Sequence, residues 1–127
     1  KSEASVVAGQ SAGSLMAVST IAALQQQQLN PGVIITGSIN KEGDLVDAGG
    51  IKAKAEAAKK ADAKLLLVPK GSGSMILNLT RTQRCMPYQE KQYCIITYPG
   101  EVVSVGEEIG IQVVEVETIA EAVRHFL

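Results

Sequence analysis

The sequence predicts a single α/β (α+β) domain in which short sheets pack against helices. Stretches rich in Ala, Leu, Met and Gln, which favour helices, alternate with short runs of Val, Ile and Leu, which favour strands. Alternation of this kind is typical of α/β proteins. The chain has 127 residues, which is enough for one domain with a hydrophobic core and too few for two.

Bulk composition narrows the classes of function. Hydrophobic residues make up 46% of the chain, charged residues 20%, and the net charge is -1, as in an ordinary folded domain. A near-neutral charge gives no electrostatic reason to expect nucleic acid as a partner, and an aromatic content of 3% provides few surfaces for base stacking. We therefore expect no nucleic-acid partner. No apolar run reaches the roughly 18 residues that a membrane helix requires.

Two helices and three strands are predicted in the first half of the chain. A helix is expected over residues 12–28, and its apolar side chains on nearly every side predict that it is buried. Asn30-Pro31-Gly32 ends it. The remaining elements are a β-branched strand over 33–36, a turn over 40–43, a returning strand over 44–46, a helix from Gly50 to about Ala61, and a buried strand over 64–68.

The second half is less regular until its end. Residues 71–74 are expected to be flexible, 75–79 to form one helical turn or a strand, and 81–98 to form a β-hairpin. Residues 103–109 are predicted to form a short helix, 111–116 a strand and 118–127 a helix. Thr118 is the expected cap of this last helix, with Glu121 three residues later.

One lysine lies on the apolar face of the helix that follows Gly50. Residues spaced three and four apart share a helical face, and on this face Lys54 is surrounded by Ile51, Ala55, Ala58 and Ala61. Desolvation disfavours the ammonium form of a lysine, and a neutral amine is a competent general base. The alternative is that Lys54 extends its charged end to water from the edge of the face.

A serine at the start of the first predicted helix is the candidate nucleophile. Ser11 is flanked by Gly9 and Gly13, and backbone N–H groups at a helix N-terminus stabilise developing negative charge. The alternative is that Ser11 is only a helix cap. The spacing also matches the Gly-x-Ser-x-Gly nucleophile motif, but no strand clearly precedes it, and the only histidine is His125. A Ser-His-Asp triad is therefore disfavoured.

Two cysteines, Cys85 and Cys94, lie nine positions apart in the predicted hairpin. No second cysteine pair or nearby histidine accompanies them, which disfavours a zinc site. A disulfide is the preferred interpretation, and two unrelated thiols are the alternative. A disulfide would indicate an oxidising compartment.

Three segments together resemble the proteolytic domain of Lon proteases, which use a Ser–Lys dyad. The serine motif is similar to Gln10-Ser11-Ala12-Gly13, and the strand ending in Thr-Gly is similar to residues 33–38. The Gly-Gly-x-x-x-Lys helix of the family resembles Gly49-Gly50 followed by Lys54. The resemblance covers residues 9–70 and 102–127. It is nearest to the archaeal Lon-like proteases that lack an ATPase module.

The resemblance implies a role for each matching residue. Ser11 would be the nucleophile and Lys54 the base, while backbone N–H groups of Gln10, Ser11 and Ala12 would form the oxyanion hole. Thr36 would hydrogen-bond the lysine amine, although without the resemblance it is simply a β-branched strand residue. No metal or organic cofactor is implied. Gln10 departs from the Asp or Pro found in many members.

The resemblance also predicts how the chain is organised and what it binds. Residues 1–127 would form one Lon-like domain, with 71–100 as an insertion and with the β-rich section that precedes the serine mostly missing. The expected partner is a peptide or an unfolded protein, and a homo-oligomer or a separate N-terminal piece is a further candidate partner. The expected location is extracellular or outward-facing on a membrane, with the cytoplasm as the alternative. A catalytically silent binding module and an esterase are the rival functions.

Overall fold

A computed structural model describes residues 9–46, 48–77, 81–97 and 100–127. Its centre is a three-stranded parallel sheet formed by β1 (Val33–Ile35), β4 (Leu65–Pro69) and β9 (Gln112–Val116), with β4 in the middle. Val33 pairs with Leu65, which in turn pairs with Gln112. The run of apolar residues in β4 reflects this central place, since a central parallel strand is buried on both faces.

Four helices in the described part of the chain cover the two faces of the sheet. They are α1 (Gly13–Leu24), α2 (Ile51–Lys60), α3 (Val105–Ile109) and α4 (Ile119–Phe126). Successive side chains of a strand point to opposite faces, so Leu67 packs in the core beneath α1 and α4. Leu66 and Val68 pack in the core beneath α2 and α3. The predicted α/β class, with small sheets packed against helices, is confirmed.

Three antiparallel strand pairs make up the rest of the described sheet structure. They are β2 (Ser38–Ile39) with β3 (Leu45–Val46), β5 (Ser74–Leu77) with β8 (Glu101–Ser104), and β6 (Thr82–Tyr88) with β7 (Lys91–Thr97). The last pair is the predicted hairpin, apart from Tyr98, which lies outside the described residues. Its two-residue turn, Gln89 and Glu90, has positive φ at both positions. This is the requirement of a type I′ turn, whose twist matches the twist of the flanking strands.

The first helix differs from its prediction. It ends at Leu24 and not at Gln28, and only one face of it is buried, through Ser14, Val18 and Ala22. Met16 is 69% exposed and Leu24 80%, so the prediction of a fully buried helix was wrong. Apolar side chains on all sides of a helix allow complete burial, but the described elements cover only one side of α1.

The segments on either side of the hairpin pair with each other. Residues 74–77 form a strand, which confirms the strand alternative for 75–77, while Asn78 and Leu79 lie outside the described residues. Residues 103 and 104 belong to β8, because Val103 pairs with Met75, and the short helix therefore begins only at Val105. Pairing with a strand distant in sequence decided both cases, and such pairing leaves no local signal.

The final helix begins as predicted. Thr118 Oγ1 accepts a hydrogen bond from the backbone N–H of Glu121 at 3.1 Å. The Glu121 carboxylate accepts in return from the backbone N–H of Glu117, at 3.0 Å. In a capping box the return bond comes from the N–H of the cap residue itself, whereas here it comes from the residue before the cap, Glu117. None of the described helices is long and apolar enough to cross a membrane.

Cys85 and Cys94 face each other in the hairpin and are joined as a disulfide. Closing a loop of this size should stabilise the folded state by roughly 2–3 kcal/mol, because the unfolded chain loses freedom. We expect mass spectrometry of unreduced native protein to show no free thiol. Reduction should loosen the hairpin without changing how Ser11 reacts with a serine-directed probe. Two free thiols after native purification would refute the pairing.

Candidate active site

Ser11 lies in a 3-10 turn, Gln10–Ala12, that leads directly into α1. Two backbone hydrogen bonds tie this turn to the end of β1: Ser14 N–H donates to Gly37 O, and Gly37 N–H donates to Ser11 O, each at 3.0 Å. The segment that carries the serine is thus hydrogen-bonded, at Ser11 and at Ser14, to the connection between β1 and β2. Ser11 itself is half-buried.

Gly37 can make this double connection because it has no side chain. Its φ is +140°, a region essentially reserved for glycine. A Cβ atom built on Gly37 would lie 2.9 Å from Cγ of Pro69, the last residue of β4, closer than van der Waals contact allows. The close approach of β4 to this connection therefore requires glycine.

Lys54 lies in the first turn and a half of α2, on the side that faces the sheet. Ala55 and Ala58 on this side are buried, Lys54 is half-buried, and Lys52 is exposed. The predicted helical face is confirmed except at Ala61, which follows the last helical residue and is exposed. Lys54 Nζ lies 3.1 Å from Ser11 Oγ, within hydrogen-bonding distance. The two residues are 43 positions apart in sequence.

A cavity of about 330 Å³ opens beside this pair. Apart from Ser11, Thr36 and Lys54, its walls are apolar, and they come from α1, β1, α2 and β4. These apolar residues are Ala12, Leu15, Ile34, Ile35, Ala57 and Leu66. Among the described residues that line the cavity none is a carboxylate, and the hydrogen bond of the lysine amine goes to the serine hydroxyl.

The other predicted site residues are also nearby. Thr36 is buried, and it lines the same cavity as Ser11 and Lys54. Within the described ranges, the hydrogen bond of Lys54 Nζ goes to Ser11, so the expected bond from Thr36 to the lysine stays a prediction. Gln10 and Ala12 lie in the turn around the serine. Their contribution to an oxyanion hole is likewise still a prediction.

Two features of this site were not predicted from the sequence. One is the connecting role of Gly37, which the sequence marks only through the Thr-Gly pair at the end of the strand. The other is the apolar wall of the cavity, because Leu15 and Ala57 look like ordinary helix residues in the sequence. Among the residues that the structure describes, no group of three or more His, Cys, Asp or Glu side chains is placed to hold a metal ion.

Comparison with known families matches the part of the chain that carries these residues. The family model of the Lon protease (S16) C-terminal proteolytic domain matches residues 3–85. That is more than half of the chain and includes Ser11, Thr36 and Lys54. The chain belongs to this family.

Curated relatives are Lon proteases from different domains of life. The mitochondrial Lon protease homolog of Eremothecium gossypii is 39% identical over 62 residues, covering 49% of this chain and 6% of the relative. The archaeal Lon protease of Methanothermobacter thermautotrophicus is 36% identical over 63 residues, covering 50% and 10%. The Lon protease of Roseiflexus castenholzii is 34% identical over 76 residues, covering 60% and 10%.

The extent of these matches bears on the domain organisation. The chain corresponds to about a tenth or less of the length of these relatives. The family match runs through residue 85, so it takes in half of the segment predicted to be an insertion. It stops before residues 102–127, for which a resemblance to the family was also predicted. The boundaries of the insertion and of the domain remain predictions.

Proposed function

We propose that this protein is a serine endopeptidase that hydrolyses peptide bonds with a dyad of Ser11 and Lys54. The observation that carries the proposal is the 3.1 Å separation of Lys54 Nζ from Ser11 Oγ inside a cavity with otherwise apolar walls. Membership of a family of protease domains supports it.

The geometry suits a nucleophile and its base. When Lys54 is charged, its ammonium donates to Ser11 Oγ, and when it is neutral, its amine accepts the Ser11 proton across the same distance. In the reaction Ser11 Oγ attacks the peptide carbonyl while Lys54 takes the hydroxyl proton. Lys54 then gives this proton to the leaving amine, and an ester to Ser11 remains. Water, deprotonated by Lys54, hydrolyses the ester and frees the serine.

The surrounding residues support this chemistry in two ways. The turn that carries Ser11 leads into α1, and N–H groups of Gln10–Ala12 are the proposed donors to the oxyanion. Thr36 is the proposed partner of the lysine amine.

The proposed substrate is a peptide or unfolded protein, and the proposed location is an oxidising compartment outside the cytoplasm. The location rests on the disulfide between Cys85 and Cys94, since such bonds persist mainly where thiols are not kept reduced. Assembly into a homo-oligomer is part of the proposal. The same fold in the cytoplasm would require the pair to be reduced.

A serine-directed fluorophosphonate probe and unfolded casein together test the proposal. We expect the probe to label Ser11, as located by peptide mapping, and we expect casein to be cleaved. A Ser11→Ala variant should show neither reaction. Labelling with turnover of simple esters, but without cleavage of casein, would support an esterase instead. Absence of both labelling and cleavage in folded protein would support a silent binding module.

A further inference from the structure

The disulfide-linked hairpin, β6 and β7, is the most exposed element among the described residues. Every residue of both strands is exposed. Over residues 81–97 the sequence has three basic residues, Arg81, Arg84 and Lys91, and one acidic residue, Glu90, which gives a charge of +2. Because the whole chain carries -1, the rest of it carries -3. The hairpin is thus a basic element of an otherwise acidic chain.

One face of this hairpin is apolar. Cross-strand partners share a face, so Met86 lies beside Tyr93 and Arg84 beside Ile95. Met86, Tyr88, Tyr93 and Ile95 are each more than half exposed. Tyr88 and Tyr93 pack edge to face with their ring centroids 5.9 Å apart, and an apolar cleft of about 440 Å³ lies against them. Arg84 and Lys91 flank these side chains on the same face.

The two outer edges of the hairpin are not equivalent. Cys85 and Cys94 are directly opposite with Cα atoms 4.0 Å apart, the close spacing of a pair that exchanges no backbone hydrogen bonds. The backbone groups of such residues point away from the partner strand. By alternation the same holds for the pair Pro87 and Gln92. Pro87 removes a donor from the outer edge of β6, whereas the edge of β7 keeps its N–H groups.

In the described part of the chain, β6 and β7 form a two-stranded sheet, so no described strand covers the outer edge of β7. Unpaired strand edges are templates for pairing with a further strand. The N–H and C=O groups of Gln92, Cys94 and Ile96 form this free edge. It lies next to the apolar face, which can receive alternate side chains of an added strand.

We propose that the outer edge of β7 and the adjoining apolar face bind an extended, acidic and apolar polypeptide segment by strand addition. The binding site would hold unfolded substrate on the same chain as Ser11, a use that rests on the proposed function and raises the local substrate concentration. Charge selects this occupant. The same edge of a second copy would bring two basic segments together, each with a charge of +2 over residues 81–97, whereas acidic residues of a substrate complement Arg84 and Lys91.

Binding of a labelled peptide to the Ser11→Ala protein tests this site without cleavage. The probes are a ten-residue peptide of alternating Glu and Val and a matched peptide of alternating Lys and Val, measured by fluorescence anisotropy. We expect Gln92→Pro to weaken binding of the Glu peptide about ten-fold, because it removes an outward donor and leaves an acceptor of the peptide unpaired. Gln83→Pro, the matched change on the edge already interrupted by Pro87, should leave binding unchanged.

A charge reversal provides a second test that does not alter the backbone. Arg84→Glu combined with Lys91→Glu should weaken binding of the Glu peptide and strengthen binding of the Lys peptide. Retention of the disulfide, checked by mass, shows that each variant keeps the hairpin. Equal binding by the Gln92→Pro and Gln83→Pro variants would overturn the proposal, as would self-association that Gln92→Pro abolishes without any peptide binding. Since no cleavage occurs in this background, the result is independent of whether the protein proves to be a protease.

Discussion

We expect Lys54→Ala to lower casein cleavage by at least about a thousand-fold, as loss of one member of a nucleophile–base pair generally does. Lys54 Nζ lies 3.1 Å from Ser11 Oγ, and among the described residues that line the cavity no other side chain is cationic. Ser11→Ala should have a similar effect, and the double variant should be no worse than either single one. Initial rates of cleavage by purified, folded protein measure the effect.

Two control variants separate the chemistry from the packing. Lys52→Ala removes an exposed lysine of the same helix, and activity should stay within about two-fold, as for surface changes in general. Lys54→Arg keeps length and charge, but a guanidinium cannot serve as a base near neutral pH, so the variant should be folded and inactive. An active Lys54→Arg protein would contradict the assignment of Lys54 as base.

Gly37→Ala should destabilise the protein by about 3 kcal/mol and slow labelling of Ser11. A non-glycine residue in the backbone region of Gly37 costs of order 1–3 kcal/mol, and the added methyl group would also clash with Pro69. Relief of either strain would move the connection that holds Ser11 O and Ser14 N–H. Urea denaturation measures the first effect, and the rate of fluorophosphonate labelling measures the second.

Gly71→Ala is the matched control for this change. Gly71 also has a positive φ, +86°, but nothing lies within 4 Å of the position its Cβ would occupy. Gly71→Ala should lower the free energy of unfolding by about 1 kcal/mol and leave the labelling of Ser11 unchanged. Pro69→Ala should recover part of the stability that Gly37→Ala loses. If Gly37→Ala resembled Gly71→Ala in both measurements, the proposed positioning role of Gly37 would be wrong.

Helical periodicity determined the side of α2 to which Lys54 belongs. A face that includes Ile51, Ala55 and Ala58 is specified by a spacing of three and four residues, and the structure buries that face against the sheet. The strand in 64–68 and the cap at Thr118 were likewise predictable. Each of these features depends on residues within a few positions of one another.

Only the tertiary structure decided which of these local elements meet. The helices α1 and α2 cover opposite faces of one sheet. Lys54 approaches Ser11 because the starts of these two helices converge at the end of β1. Gly37 must be glycine because Pro69, 32 residues later, passes 2.9 Å from its missing Cβ. Long-range pairing also turned residues 103 and 104 into strand. Local sequence patterns predict which face of an element is buried. Which element packs against that face depends on contacts between residues distant in sequence.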